Sequence, residues 1–392
     1  MFLALAAALG AVRMPAYFGD GMIVQTNGEY GARAFLNGMA APGEQVTVKA
    51  GTVYHTQADA SGAWDVQLLA PKGTITVSGE SGPSIVAADV QSGDVFFCSG
   101  QSNMVFPMSL TLNASAEMNT TVDYPNFKLF TVPQRTAATP QFDLDRTVPG
   151  QAKWIDATPT TIANFSAVCY MAVREIARLH TSKRPMGLVF SAWGGTRIEA
   201  WMSPTALGAC AAKGFVAPAS KAQNGASALY NAMVAPLNQY AVRAALWYQG
   251  EANADQGLRW NQSYSADYYA CMMDGMAADW RERKAMGDFA FTTVQLPPSH
   301  APSDDDTKPT GRQAVRDAAS RFAPHSGGAT DISGVAVTVD LGGSSAWGYD
   351  HPPNKNEIAR RLALTTIHAA YVLRVRSLAT NGQLTSALSF FY

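Results

Sequence analysis

The segment "FFCSGQSNMVFP", residues 96–107, places a polar serine-containing stretch directly after an apolar run. Residues 96–98 are apolar, residues 99–103 are small or carry amides, and the chain then turns apolar again. This pattern predicts a buried strand that ends near residue 100, with Ser102 just beyond its carboxyl end. Such a segment is either an ordinary polar turn or a place where a serine hydroxyl does chemistry.

Strand-like and helix-like segments alternate from residue 93 onward. Strands are predicted over 94–100, 186–195, 243–251, 289–297 and 332–342, and helices over 166–184, 264–283, 311–322 and 354–373. This alternation is typical of an α/β protein with a mostly parallel sheet and helices on both faces. Residues 21–92 instead contain short β-branched runs between turn residues, which predicts a small all-β unit with an accessory role.

The sequence therefore divides into four predicted parts. The first is a signal segment over 1–17, because "MFLALAAALGAV" is apolar and small, although no Lys or Arg precedes the apolar stretch. A β-rich accessory region over 18–92 follows, then the main α/β domain over 93–376 and a C-terminal tail over 377–392.

Composition limits the classes of partner. The chain has 392 residues, of which 47% are hydrophobic and 15% charged, so it can bury a sizeable core. A formal net charge of -1 does not indicate binding to nucleic acid or to an anionic membrane. No internal apolar run approaches the ~20 residues that a membrane span needs. No Cys-x-x-Cys or His-rich tract indicates a metal site.

Two further features agree with export from the cell. The four cysteines are even in number and allow three pairings, between which the sequence does not choose. Asn-x-Ser/Thr triplets, which are acceptors for N-glycosylation, occur at Asn113, Asn119, Asn164 and Asn261. We therefore expect a secreted or luminal glycoprotein, either lysosomal or extracellular.

Candidate functional residues follow the predicted strands. In a parallel sheet, ligands bind beyond the carboxyl ends of the strands. Ser102, Gly195 and Gln249 each come shortly after a strand, and His351 follows the last one. We therefore expect these residues to meet at one edge of the sheet.

A serine hydroxyl becomes a useful nucleophile when a base takes its proton, and the base is most often histidine. Of the six histidines, His351 alone is predicted at a strand–helix junction, in "GYDHPPNKNEI". Ester cleavage also needs donors for the developing oxyanion. The candidates are the backbone N–H groups of Ser102 and Gly195 and the side-chain amide of Gln249.

The sequence resembles the sialate O-acetylesterase family in four motifs. These are "GQSNM" (100–104), "WGGT" (193–196), "WYQGE" (247–251) and the "HP" before the closing helix. That family belongs to the SGNH/GDSL-type hydrolases and is also similar to carbohydrate acetylxylan esterases. The resemblance runs from about residue 18 to 372. It implies a flavodoxin-like three-layer α/β/α SGNH hydrolase domain after a small N-terminal all-β region. It also implies a nucleophile at Ser102, a base at His351, oxyanion donors at Gly195 and Gln249, and no cofactor or metal.

One departure from the family pattern concerns the acid that orients the base. Many SGNH hydrolases carry Asp three residues before the histidine, where this chain has Gly348. We therefore expect Glu251 to be the orienting carboxylate, with Asp350 as the second choice. A Ser–His pair without a fixed acid is the third possibility.

The function expected from these residues is a carbohydrate esterase that removes O-acetyl groups from sugars, above all from sialic acid, through an acyl-enzyme. One alternative is an acetylesterase for xylan or another polysaccharide. An alternative from another class is a non-catalytic sugar-binding protein on the same scaffold. The expected partner is an O-acetylated carbohydrate, and the sequence does not indicate an oligomeric state.

Overall fold

The computed structural model describes residues 11–26, 33–180, 183–254, 265–285, 287–298, 311–322 and 332–373. Within these ranges the strands are β1 (Ile23–Gln25), β2 (Arg33–Met39), β3 (Gln45–Ala50), β4 (Thr52–Gln57), β5 (Ala63–Leu69), β6 (Gly73–Ser78), β7 (Ile85–Gly100), β8 (Phe127–Thr131), β9 (Trp154–Asp156), β10 (Met186–Ala192), β11 (Ala244–Tyr248), β12 (Ala290–Val294) and β13 (Ser333–Ala336). The α-helices are α1 (Ser102–Val105), α2 (Ala114–Asn119), α3 (Pro159–Ile162), α4 (Ala167–Leu179), α5 (Pro204–Ala211), α6 (Ala266–Arg283), α7 (Gly311–Arg321) and α8 (Lys355–Ile367). Residues 251–254 are also helical.

The central sheet has β7 in its middle, with the strand order β13-β12-β11-β7-β10-β8-β9. The strand pairs along this path are parallel except for β8 with β9. Phe97 of β7 lies in register with Val189 of β10 and with Ala245 of β11. The prediction of a mixed α/β fold with a mostly parallel sheet is confirmed, and the strand before Ser102 is its central one.

Consecutive residues of β7 point to opposite faces, as the pleat of a strand requires. The ring of Phe97 packs edge-on against Trp280 of α6, with ring centroids 5.4 Å apart. The next residue, Cys98, forms a disulfide with Cys169 of α4. Helices therefore pack on both faces of the sheet at this strand.

The N-terminal strands are continuous with the central sheet. The first part of β7 pairs antiparallel with β6 and its second part pairs parallel with β10 and β11. The predicted boundary between residues 92 and 93 thus lies inside one strand. The O–H of Tyr240 donates to the carbonyl of Ile23, and Asn37 donates to the carbonyl of Gln239 at 2.9 Å. The boundary at 92 is therefore a change of sequence pattern within one connected structure.

Part of the predicted signal segment belongs to the folded structure. The backbone of Arg13 pairs with that of Met39, and the Tyr17 ring stacks on Tyr240 with centroids 4.6 Å apart. Residues 11–17 therefore pack onto the rest of the described structure. Residues 1–10 and the predicted tail over 377–392 lie outside the described residues.

The features that predicted export can be compared with the structure. The four cysteines form the disulfides Cys98–Cys169 and Cys210–Cys271. Asn113, Asn119 and Asn164 are exposed, as glycosylation requires, whereas Asn261 lies outside the described residues. In the part of the chain that the structure describes, no helix is both long and apolar enough to cross a bilayer.

Candidate active site

The carboxyl ends of β7 and its two neighbours form the edge on which the candidate residues lie. Gly100 ends β7 with φ +140, and a Cβ there would overlap the carbonyl oxygen of Tyr248 at the end of β11. A glycine is needed for this close approach. The following residue, Gln101, donates its backbone N–H to the same carbonyl at 2.9 Å. This contact fixes the segment that carries Ser102 beside β11.

Ser102 and His351 meet at this edge although 249 positions separate them in the sequence. The Oγ atom of Ser102 lies 2.7 Å from Nε2 of His351, and both side chains are partly exposed. The other ring nitrogen, Nδ1, lies 2.9 Å from the carbonyl oxygen of Trp347. Because a carbonyl oxygen only accepts, Nδ1 carries the hydrogen and Nε2 is left to accept the serine proton.

The two carboxylates predicted to orient His351 have other partners. Oε1 of Glu251 accepts from the Asn103 amide at 2.5 Å. Oδ1 of Asp350 accepts from Arg312 at 2.7 Å. Within the described ranges neither carboxylate is hydrogen-bonded to the imidazole. The structure thus places a backbone carbonyl, that of Trp347, where the sequence predicted Glu251 or Asp350.

Glu251 lies in a buried environment close to the sheet edge that carries Ser102 and His351. Burial raises the pKa of Glu251, while the nearby Arg312 guanidinium acts in the opposite direction. Its second oxygen, Oε2, is buried and has no hydrogen-bond partner in the described structure. Glu251 is therefore a buried carboxyl group joined to the site through Asn103.

Gln249 was predicted to donate to the oxyanion, but its amide points into the protein. Its Nε2 lies 3.0 Å from Oε1 of Gln101, 2.9 Å from the carbonyl of Thr196 and 2.8 Å from Oδ1 of Asn253. The amide has two hydrogens, and these three buried acceptors face them. No hydrogen is left for a substrate oxygen, so Gln249 ties the strand ends together instead.

The side-chain amide of Gln101 points its nitrogen toward Ser102, as the sequence predicted for the amide of Gln249. Its Oε1 accepts from Nε2 of Gln249 at 3.0 Å, from the backbone N–H of Gly250 at 3.4 Å and from that of Ala252 at 3.1 Å. These donors fix which end of the amide is the oxygen. Its Nε2 therefore faces Ser102, at 3.5 Å from Oγ. Nothing in the sequence distinguishes the direction of these two amides.

The predicted Gly-Gly turn lies against Ser102. A Cβ on Gly194 would sit 3.4 Å from Cβ of Ser102. Gly195 has φ +69, a left-handed conformation that favours glycine, and its carbonyl accepts from Nδ2 of Asn224 at 3.0 Å. Among the described residues, no acceptor is assigned to the backbone N–H of Gly195 or of Ser102. Both remain available to a ligand.

Two further residues at the site were not singled out by the sequence. Nζ of Lys355 donates to Oδ1 of Asn103 at 2.5 Å, and Nδ2 of Asn103 donates to the carbonyl of Asp350 at 2.7 Å. Burial lowers the pKa of Lys355 to about 7, while the Glu251 carboxylate acts in the opposite direction. The only sequence signal was that Asn103 adjoins the serine and Lys355 begins the closing helix.

Known proteins resemble this chain over much of its length. The profile of the family described as "carbohydrate esterase, sialic acid-specific acetylesterase" matches residues 92–324. Sialate O-acetylesterase of Pongo abelii is 33% identical over 300 residues, which cover 72% of this chain and 54% of the relative. The Homo sapiens protein of the same name is 32% identical with the same coverage of both chains. The chain thus spans about half the length of these curated relatives.

A solved structure is also similar. The crystal structure of a carbohydrate acetylesterase from Xanthomonas citri superposes with a TM-score of 0.75 at 28% identity. The match covers 92% of this chain and 76% of that one. The resemblance predicted from the sequence motifs is confirmed by these comparisons. This chain belongs to the sialic acid-specific acetylesterase family of carbohydrate esterases.

Proposed function

We propose that this protein is a carbohydrate O-acetylesterase that acts on O-acetylated sialic acid. The observation that carries the proposal is the 2.7 Å contact between Oγ of Ser102 and Nε2 of His351 at the carboxyl edge of a parallel sheet. A serine so placed beside a neutral imidazole is an activated nucleophile. Family membership adds the substrate class, O-acetylated sugars.

In the first step, Oγ of Ser102 attacks the acetyl carbonyl carbon while Nε2 of His351 takes the hydroxyl proton. The Nδ1–H of the resulting imidazolium keeps its hydrogen bond to the Trp347 carbonyl, 2.9 Å away. That bond holds the ring in place throughout the transfer. The carbonyl dipole also favours the positive ring, although it carries no full charge.

The attack turns the acetyl oxygen into an oxyanion that needs donors. We assign this role to the backbone N–H groups of Ser102 and Gly195, with the side-chain amide of Gln101 as the third donor. Its Nε2 atom is 3.5 Å from Oγ of Ser102 and is held in that direction by the bonds to its own oxygen. Donors fixed in advance cost no reorganisation during the reaction.

In the second step, the tetrahedral intermediate breaks its bond to the sugar oxygen, which leaves with the proton from His351. The acetyl group stays on Ser102 as an ester. Water then attacks this ester with His351 as the base, and acetate leaves as Ser102 regains its proton. The balance of the reaction is one ester and one water converted to one sugar hydroxyl and acetic acid.

The experiment compares the wild type with Ser102→Ala and His351→Ala on three substrates: a small acetyl ester, O-acetylated sialic acid and acetylated xylan. We expect the wild type to hydrolyse the small ester and the sialic acid ester, and both variants to be inactive. Activity of Ser102→Ala would refute the nucleophile. A higher rate on acetylated xylan would indicate a plant polysaccharide as the substrate. Binding of the sugar without hydrolysis would indicate a sugar-binding protein.

We further propose that the described sheet and helices form a flavodoxin-like SGNH hydrolase domain of three layers with a small N-terminal β region. We also propose a secreted or luminal location. The two disulfides support this location because such bonds persist in oxidising compartments. Export from cells that express the full chain, followed by loss of N-glycans on enzymatic digestion, tests it.

A further inference from the structure

We propose that Asn103 and Lys355 are positioning residues that hold the His351 segment against the nucleophile segment. The inference rests on the proposed esterase function and extends it to residues that do not touch the substrate. Asn103 directly follows Ser102, and its amide donates to the carbonyl of Asp350, the residue directly before His351. One side chain therefore joins the backbone next to the nucleophile to the backbone next to the base.

The direction of the Asn103 amide is fixed by its neighbours. An ammonium group only donates, so Nζ of Lys355 at 2.5 Å requires the oxygen of Asn103 on its side. The nitrogen then faces Oε1 of Glu251 at 2.5 Å and the Asp350 carbonyl at 2.7 Å. Both amide hydrogens and the amide oxygen are thus used. Without Lys355, the amide oxygen of Asn103 would be buried without this donor, which destabilises the arrangement that holds Asp350.

The arrangement is buried, which makes each contact strong and a lost contact costly. Asn103 and Lys355 both have 0% of their surface exposed. Nζ of Lys355 also lies 4.6 Å from the ring centroid of Phe106 and 5.6 Å from that of Tyr248, two favourable cation–π contacts. Among the described residues, the side chain that accepts from Lys355 is Asn103, so the buried lysine supplies the donor that this amide oxygen needs.

The chain contains a matched control for Lys355. Lys284 is also buried, its Nζ donates to the carbonyl of Leu237 at 2.8 Å, and it lies 4.9 Å from the ring centroid of Phe97. Burial lowers its pKa to about 7, as it does for Lys355. The acceptor of Lys284, Leu237, ends a short 3-10 helix over Ala235–Leu237 that carries none of the proposed catalytic residues. Lys284→Met and Lys355→Met therefore each remove a buried ammonium group from similar surroundings.

The test measures kcat and KM of Lys355→Met and Lys284→Met on a small acetyl ester, with thermal unfolding of both. We expect kcat of Lys355→Met to fall by about tenfold to a hundredfold with KM changed by less than about twofold, because the binding surface is intact and the reacting pair is displaced. Lys284→Met should keep kcat within about twofold of the wild type. Equal kcat values for the two variants would overturn the proposal.

A second pair of variants covers the case in which Lys355→Met does not fold. Asn103→Asp puts an acceptor against Glu251, and we expect a large loss of kcat. Adding Glu251→Gln supplies a donor to this new carboxylate but none to the Asp350 carbonyl, so kcat of the double variant should stay at least about tenfold below that of Glu251→Gln alone. Recovery of kcat in the folded double variant to the level of Glu251→Gln would overturn the proposal, because the contact with Asp350 would then be dispensable. Failure of the proposed function itself is distinct, since the wild type would then hydrolyse no acetyl ester.

Discussion

The Nδ1 atom of His351 lies 2.9 Å from the backbone carbonyl oxygen of Trp347, so the imidazole of the proposed base is oriented by a neutral group of the main chain. A carboxylate in this place fixes the tautomer and also stabilises the imidazolium with a full charge. A carbonyl fixes the tautomer equally well but offers only a dipole. Compared with a site that has a carboxylate here, this site keeps the fixed tautomer of His351 and lacks the full negative charge.

The first prediction concerns the two carboxylates near the base. Because neither Glu251 nor Asp350 is hydrogen-bonded to the imidazole in the described structure, Glu251→Gln and Asp350→Asn should each lower kcat by less than about tenfold. Removal of an orienting carboxylate from a catalytic triad costs about 10⁴-fold. Steady-state kinetics on a small acetyl ester distinguish the small loss of kcat from the large one. A loss of about 10³-fold or more for either variant would identify that residue as the acid.

The second prediction concerns Gln101. Gln101→Glu keeps an acceptor for the N–H donors of Gln249, Gly250 and Ala252 but replaces the amide nitrogen by a carboxylate oxygen. Loss of one oxyanion donor costs about 10² to 10³-fold in kcat, and we expect a loss of this size here. Gln295→Glu, at a buried glutamine whose Nε2 donates to Ser320 and the Arg316 carbonyl, is the control. Comparable kcat values for the two variants would exclude Gln101 as a donor.

The third prediction concerns the disulfide between β7 and α4. The bond between Cys98 and Cys169 closes a loop with a sequence separation of 71, and chain entropy alone gives about 4 kcal/mol for a loop of this size. We expect the double Cys→Ala variant to lose about 2 to 4 kcal/mol of unfolding free energy, measured by urea titration. An unchanged free energy would show that the packing of Phe97 and its neighbours holds β7 without the bond.

The fourth prediction concerns the pH dependence of stability. Burial lowers the pKa of Lys284 from 10.5 to about 7, so between these values the unfolded chain binds more protons than the folded one. The free energy of unfolding then rises with pH over this window. Each pKa unit corresponds to about 1.36 kcal/mol, so the rise amounts to several kcal/mol.

Lys284→Met removes this rise and leaves the contribution of Lys355 unchanged. Urea unfolding at about pH 6 and about pH 9 should show that the variant gains stability over the wild type mainly at the lower pH. A difference between the two proteins that is independent of pH would mean that Lys284 is charged throughout this range in the folded state.

The sequence predicted the elements that depend on periodicity. The strands before Ser102 and Gly195 and the closing helix match β7, β10 and α8, since buried strands and amphipathic helices leave regular apolar patterns. Because the carboxyl ends of parallel strands meet at one edge of the sheet, the sequence also predicted that Ser102 and His351 lie close together. The last predicted strand, 332–342, was too long, because regular pairing covers only Ser333–Ala336.

The sequence did not predict features that depend on side-chain direction or on the main chain. A backbone carbonyl such as that of Trp347 has no sequence signature, so a carboxylate was expected in its place. Gln249 and Gln101 both follow strand ends, and only the surrounding donors decide which amide faces Ser102. The predicted boundary at 92 falls inside β7, because this strand continues through a change of apolar pattern.

Labelling with a serine-reactive organophosphonate tests most directly whether His351 activates Ser102. The labelled residue is identified by peptide mapping with mass spectrometry. We expect the wild type to take up one label per chain, on Ser102, and to lose activity in proportion. His351→Ala should be labelled at least about a hundredfold more slowly. A label on another serine, or an intact wild type that keeps Ser102 unlabelled while it hydrolyses acetyl esters, would contradict the account.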